Sequence, residues 1–151
     1  MGSPFHDRIH CLHGDVRNYP FKDAYDFIIT NPPFHQDQLR ADTAKENLAK
    51  HSSHLKLSEL LRIIPLLLQP QGACSIMLPV DRMDELQKSV ALHGLYLNEV
   101  LLIKHSPGHK AKVFAGILSF RDKGFTDQVF IIRENGSYTT QMKDLMDTYY
   151  L

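Results

Sequence analysis

Neither sign of charge prevails in this sequence: lysine plus arginine and aspartate plus glutamate each total 17 of 151 residues. A chain without net charge has no global positive field with which to hold a polyanion, so any contact with nucleic acid must be local. Cysteine is scarce. Cys11 and Cys74 stand far apart, each within an apolar stretch, which reads as two reduced core thiols rather than a disulfide framework. Long apolar runs are missing as well. The greasiest stretch, Leu55 to Leu68, is interrupted by Lys56, Glu59, Arg62 and Pro65 and falls short of the ~20 residues that cross a bilayer. The start, Met1-Gly2-Ser3-Pro4-Phe5-His6, lacks both an apolar signal region and the hydroxyl residue that lipidation needs at its sixth position, so a cytoplasmic location with no membrane partner is expected. Repeats, low-complexity tracts and internal linkers are absent too, and residues 1–151 read as one domain. With 43% hydrophobic and 23% charged residues, that domain can bury a core.

What is present alternates between strand-like and helix-like periods, the pattern of an α/β fold with a mainly parallel sheet. Arg8 to His13 alternates apolar with polar residues and stops at Gly14-Asp15, as a strand entering a loop does. Tyr25 to Thr30 is a more apolar strand that ends at Asn31-Pro32-Pro33. Gln36 to Ser53 is polar and weakly patterned, a loop or short helix over a site. From Leu57 the positions Leu60, Leu61, Ile64, Leu67 and Leu68 recur at helical spacing, with a kink expected at Pro65 and a stop at Gln71-Gly72. Ala73 to Pro79 reads as a buried strand. Asp81 then caps a helix through Met83, Leu86 and Val90 that ends at His93-Gly94. Strands at Tyr96 to Ile103, Val113 to Phe120 and near Val129 to Arg133 follow, and a helix from about Thr139 to Tyr150 closes the chain.

The chemistry concentrates at Asn31-Pro32-Pro33-Phe34, directly after a buried strand and therefore at the carboxyl end where open α/β sheets bind ligands. Prolines fix φ, offer no N–H and push the residue before them into an extended conformation. The Asn31 side chain and a neighbouring backbone carbonyl can then face outward as a pair of acceptors, which suits a planar amine with two hydrogens. Holding both hydrogens turns the nitrogen lone pair toward a methyl donor by positioning and electrostatics, without a strong general base. Phe34 offers a ring on which an extruded base can rest, worth roughly 1–3 kcal/mol.

Two other clusters stand out. Lys104, His105, His109, Lys110 and Lys112 share one loop and can meet phosphates, the groups that carry most of the affinity for RNA. Nine histidines raise the question of a metal, with His51 and His54 or His105 and His109 as pairs. Their spacing is loose, no cysteine or carboxylate completes a tetrahedral set, and no metal is expected.

Phe27-Ile28-Ile29-Thr30-Asn31-Pro32-Pro33-Phe34 resembles motif IV of the S-adenosylmethionine-dependent amino-methyltransferases. Leu48-Ala49-Lys50-His51, Leu55 to Leu68 with Gln71-Gly72, Met77-Leu78-Pro79, Val113 to Phe120 and Gly136-Ser137-Tyr138-Thr139 resemble one branch in particular, the tRNA1(Val) adenine-N6 methyltransferase family. The resemblance implies a Rossmann-like class I methyltransferase fold acting on tRNA at the adenine beside the anticodon. Asn31 and Pro32 then hold the amine and Phe34 stacks on the ring, with Pro33 and His35 beside the substrate. Asp15 and Asn31 face the cofactor, and Lys104, His105, Lys110 and Lys112 face the RNA. Phe34-His35 is also similar to guanine-N2 methyltransferases of ribosomal RNA, which stay open as an alternative, as does a non-catalytic interaction module that keeps the fold.

One departure matters. The family carries a strand, a glycine-rich loop and a second acidic-ended strand before the region equivalent to Ile9, whereas here Gly2, Gly14 and Gly72 are solitary. The fold is therefore expected to be incomplete, lacking its first two strands and the glycine-rich loop, with an open sheet edge that invites rearrangement or a homodimer. These residues alone are expected to bind S-adenosylmethionine poorly and to show no turnover. Titration calorimetry with S-adenosylmethionine checks this: no binding in the micromolar range is expected, and a micromolar dissociation constant is the contrary result.

Overall fold

Hydrophobic alternation in the central strands sets the architecture of the chain, whose computed structural model describes residues 6–32 and 55–147. Strand β1 (Tyr25–Thr30) precedes helix α1 (Leu57–Leu67), which passes directly into β2 (Leu68–Pro79). Helix α2 (Met83–Val90), β3 (Tyr96–Lys104), β4 (Val113–Ser119) and β5 (Thr126–Ile131) follow, then a small ribbon of β6 (Arg133–Glu134) and β7 (Ser137–Tyr138), and helix α3 (Thr140–Asp147). The main sheet has the order β1-β2-β4-β3-β5. β1 pairs parallel with β2, β3 parallel with β5, and β4 lies antiparallel between β2 and β3. Four strands thus run one way and β4 alone runs back, the mainly parallel α/β sheet that the periodicity implies.

Every second residue of β2 and β4 is buried: Cys74, Ile76 and Leu78 on one strand, Phe114, Gly116 and Leu118 on the other. Against that face lie Leu57, Leu60, Leu61 and Ile64 of α1 with Leu86 and Val90 of α2. The spacing of these helical residues puts them on one stripe, and each fully buried aliphatic side chain contributes about 1.5–3 kcal/mol relative to exposure. Burial in this layer pushes the Cys74 thiol up to about 12, since a thiolate there would lose its hydration.

Several expectations are corrected. Arg8 to His13 forms no strand: His6–Arg8 is a single 3-10 turn, residues 9–13 have no regular structure, and Ile9 and Leu12 are exposed. Alternation creates a strand only where a neighbour supplies ladder bonds and a face to bury, and among the described residues none pairs with it. Cys11 is accordingly exposed rather than in the core. The stop expected at Gln71-Gly72 falls earlier, at Leu68, whose ψ of 132° is already extended. Gln69 to Gly72 instead make a bulge, because Tyr25 pairs with Leu68 while Phe27 pairs with Ala73. Gly72 is required there: a Cβ would sit 2.9 Å from the Asp26 carbonyl oxygen. Asp81 does not cap α2. A 3-10 turn over Val80–Arg82 leads in, and Arg82 occupies the cap position. The α-helix ends at Val90, earlier than expected, and a 3-10 turn over Ala91–His93 carries the chain to Gly94, whose φ of 68° is the left-handed conformation glycine favours.

Strands β3 and β4 and the start of the last helix lie where the pattern puts them, whereas the strand expected near Val129 to Arg133 runs from Thr126 to Ile131, and Arg133 joins the separate β6–β7 ribbon. Thr139, just before α3, accepts a hydrogen bond from the Met142 N–H at 3.1 Å, an N-cap. Residues beyond Asp147 and the segment Gln36 to Ser53 lie outside the described residues.

One polar group in the core was not legible from pattern. Asn98, only 2% exposed, sits where β3 shifts register against β4 between Leu97 and Glu99. Its Nδ2 donates to Ser119 Oγ at 2.9 Å and to the Arg121 carbonyl at 3.1 Å, and its Oδ1 accepts from the Lys123 N–H at 2.8 Å. The side chain therefore holds the β4–β5 connection to β3. Asn98→Ala leaves those partners unsatisfied and is expected to cost about 1–3 kcal/mol, measured as a lower urea midpoint.

Candidate active site

The strand directions gather the candidate residues at one end of the sheet. β1, β2, β3 and β5 all finish on the same edge, and β4 starts there. Along that edge stand Asn31 after β1, Pro79 at the end of β2, Lys112 before β4, Lys104 at the end of β3 and Ile132 after β5. Strand order alone separates the β1 end from the β3 end by three spacings, about 14 Å.

Asn31 is exposed and Pro32 half-buried at the carboxyl end of β1. Thr30 is held in register opposite Ile76, so the turn begins from a fixed ladder. Among the described residues nothing hydrogen-bonds the Asn31 side chain, which leaves its amide available to a ligand. Pro33, Phe34 and His35 lie outside the described residues, as do Leu48 to His51 and the pair His51 and His54.

Asp15 occupies a tight turn, with the Asn18 and Tyr19 N–H groups donating to its carbonyl. Its carboxylate is engaged by Arg17, whose Nε donates at 3.0 and 2.9 Å and whose Nη2 donates at 2.6 Å. The Arg17 side chain first, and its backbone N–H second, hold the Asp15 carboxyl below the usual carboxylate range. Arg17 also approaches Glu59 in the first turn of α1 at 3.9 Å. Glu59 in turn accepts the Lys56 N–H at 2.8 Å and so caps the helix. This chain of contacts ties the Asp15 loop to the first turn of α1. The partner of Asp15, only two residues away, escaped the sequence reading although acid and base at i and i+2 were its signal.

The β3–β4 loop is well anchored. The His105 carbonyl accepts from the Arg133 N–H at 2.9 Å, the Lys104 carbonyl from Ile132 at 3.0 Å, and the Lys112 carbonyl from Val80 at 3.0 Å. His109 closes a turn onto Ser106 by its N–H at 3.0 Å and by a 2.5 Å contact between Nδ1 and the Ser106 hydroxyl. The His105 and His109 rings meet edge to face with centroids 5.8 Å apart. Among the described residues they have no third donor that would group them into a metal site. With Lys110 and Lys112 they rim a cavity of about 480 Å3 whose floor is Ile103, Val113 and Ile132. Of the predicted residues, His105, Lys110 and Lys112 thus share one cavity, and Lys104 sits at its root. The apolar floor was not foreseen, because strand-end hydrophobics look like core in a sequence.

For the cofactor that the resemblance implies, the described residues offer an exposed Asn31 and an Asp15 already tied to Arg17. No glycine-rich turn among them presents backbone N–H groups to a ligand. Taken alone, they do not fit a whole S-adenosylmethionine.

The profile of the methyltransferase small domain matches residues 4–66. A tRNA1(Val) (adenine(37)-N6)-methyltransferase of Dyadobacter fermentans is 33% identical over 99% of this chain and 64% of its own length. One from Bacteroides thetaiotaomicron is 27% identical over 99% of this chain and 63% of its own length. The chain therefore spans somewhat under two thirds of these relatives. In fold it is similar to an Agrobacterium tumefaciens protein described as a predicted O-methyltransferase, with a TM-score of 0.65, 19% identity, and coverage of 95% of this chain and 64% of that one. Over nearly its whole length the chain is similar in sequence to tRNA1(Val) (adenine(37)-N6)-methyltransferases, and its α/β fold is similar to that of a solved structure.

Proposed function

We propose that this chain supplies the substrate-presenting part of an S-adenosylmethionine-dependent methyltransferase that modifies the N6 amine of a tRNA adenine beside the anticodon. The observation that carries the reading is the exposed Asn31 amide at the carboxyl end of β1, followed by Pro32, in a chain whose relatives bear that name. The Asn31 side-chain oxygen and the Pro32 carbonyl accept the two hydrogens of the amine, and Phe34 stacks against the base. Accepting both hydrogens holds the amine nitrogen in one orientation and stabilises the charge that develops on it. Bound S-adenosylmethionine supplies the methyl group. No step of the transfer is assigned to Asp15, whose carboxylate is occupied by Arg17. Lys104, Lys110 and Lys112 meet the RNA backbone along the same edge, which agrees with the need for a local rather than a global positive surface.

The glycine-rich half of the cofactor site belongs, in this proposal, to polypeptide other than these residues, so the test joins the chain to the part of the Dyadobacter fermentans relative that it does not span. Incubated with tRNA and labelled S-adenosylmethionine, the joined protein is expected to yield N6-methyladenosine on digestion to nucleosides. Asn31→Ala is expected to slow it by about a hundred-fold or more. N2-methylguanosine as the product would favour the guanine-directed alternative, and undiminished activity of the Asn31 variant would remove the assigned role.

Self-association is also part of the proposal. β1 is an edge strand of the described sheet, and its Phe27 and Ile29 are 52% and 77% exposed. An apolar edge with unpaired backbone groups favours pairing with a second copy. Sedimentation velocity at high protein concentration is expected to show a dimer that Ile29→Lys dissociates. A monomer at every concentration is the opposing result.

A further inference from the structure

The cavity under the β3–β4 loop has a composition that the handling of an amine does not need. Its rim carries two lysines and two imidazoles, while its floor of Ile103, Val113 and Ile132 is wholly aliphatic. Among the described residues no carboxylate pairs with Lys110 or Lys112, so their charges are not spent on internal ion pairs. The rim is held in place by the backbone hydrogen bonds from Ile132, Arg133 and Val80 and by the Ser106–His109 turn. Such preorganisation lowers the ordering cost of binding.

Each half of this composition excludes a simple ligand. A free phosphate needs the lysines but gains nothing from an aliphatic floor. A plain hydrophobe gains from the floor but leaves the cations without partners. A ligand that suits both is a flat, largely apolar group with an anion attached a short distance away. About 480 Å3 falls within the usual range for small-molecule sites, and histidine rings are among the side chains on which nucleobases stack.

We infer that this cavity seats one phosphorylated nucleoside, with its phosphate on Lys110 and Lys112 and its base over Ile103, Val113 and Ile132 beside the His105–His109 pair. The inference rests on the proposed function only for the source of the nucleotide. There it is a unit of the RNA strand flanking the target base, about three strand spacings from Asn31. Seating that unit fixes the register of the strand on the sheet edge, so the cavity acts in specificity and not in the methyl transfer itself.

The 151-residue chain is titrated with adenosine 5′-monophosphate while amide proton–nitrogen shifts are followed by NMR. Saturable shifts confined to His105, Lys110, Lys112, Val113 and Ile132 are expected, together with at least ten-fold weaker binding for the Lys110→Ala/Lys112→Ala double variant. Both lysines are exposed, and an unchanged thermal unfolding midpoint verifies that the variant folds. Adenosine and inorganic phosphate, tested separately, are each expected to bind at least ten-fold more weakly than the nucleotide. Phosphate binding as tightly as the nucleotide overturns the role of the floor, and adenosine doing so overturns the role of the lysines. Shifts scattered over the surface, or a double variant that binds as well as the wild type, overturn the site. Because no methyl group moves in this experiment, its failure leaves the proposed activity standing, and a failure of the activity leaves a confirmed nucleotide site standing.

Discussion

The buried ladder between β2 and β4 is the contact on which the rest depends. Cys74, Ile76 and Leu78 meet Leu118, Gly116 and Phe114 across it, and this patch is the floor on which α1 and α2 lie. Once β4 is fixed as the single reversed strand beside β2, β3 must run parallel to β2, and β1 and β5 extend the sheet in the same sense on either side. Four carboxyl ends then fall on one edge by topology alone. A turn at Asn31 and a basic loop more than seventy residues later are brought to one side of the molecule without any direct contact between them.

That consequence explains why the parts of the sequence were readable to different degrees. Strands β2 to β4 and helices α1 and α2 were legible because each buries a face, and burial imposes its period on the residues: 2 in β2 and β4, 3.6 in α1. Strand β1, expected to be buried, instead lies at the edge of the described sheet with none of its residues buried. Arg8 to His13 carries the same alternation and forms no strand. Alternation records a capacity to pair, and only a neighbour makes it structure; Ile9 and Leu12 stay exposed because the described residues provide none. Cys11 shares that fate, whereas Cys74, in the β2 ladder, is fully buried. The bulge at Gln69 to Gly72 misled in another way. Glycine after a helical run signals a C-terminus equally well when it marks a close approach between backbones, and here the nearby Asp26 carbonyl decides for the second.

The candidate site divides along the same line. The exposed place of Asn31 after β1 was legible because a proline directly after it ends a strand locally. The setting of the basic loop was legible only in part. Its lysines and histidines are visible in sequence, but Ile103, Val113 and Ile132 come from three separate strand ends and converge through topology. Asn98 was missed for the related reason that an asparagine in a strand has no pattern of its own, and its partners lie 21 to 25 residues away.

Charge gives the last step. In the proposed reading, a neutral chain cannot rely on long-range attraction to set its affinity for RNA, so the few cations it commits must be placed where they also discriminate. Surface lysines scattered over a helix face contribute little, being screened and mobile. Here the loop carrying Lys110 and Lys112 is pinned at both ends by backbone hydrogen bonds, from Ile132 and Arg133 on one side and from Val80 on the other. Its cations line one cavity with Ile103, Val113 and Ile132. In the proposed reading, two cations on an anchored loop beside an apolar cavity give a neutral chain a local hold on a nucleic-acid strand, on the same edge as the Asn31 turn.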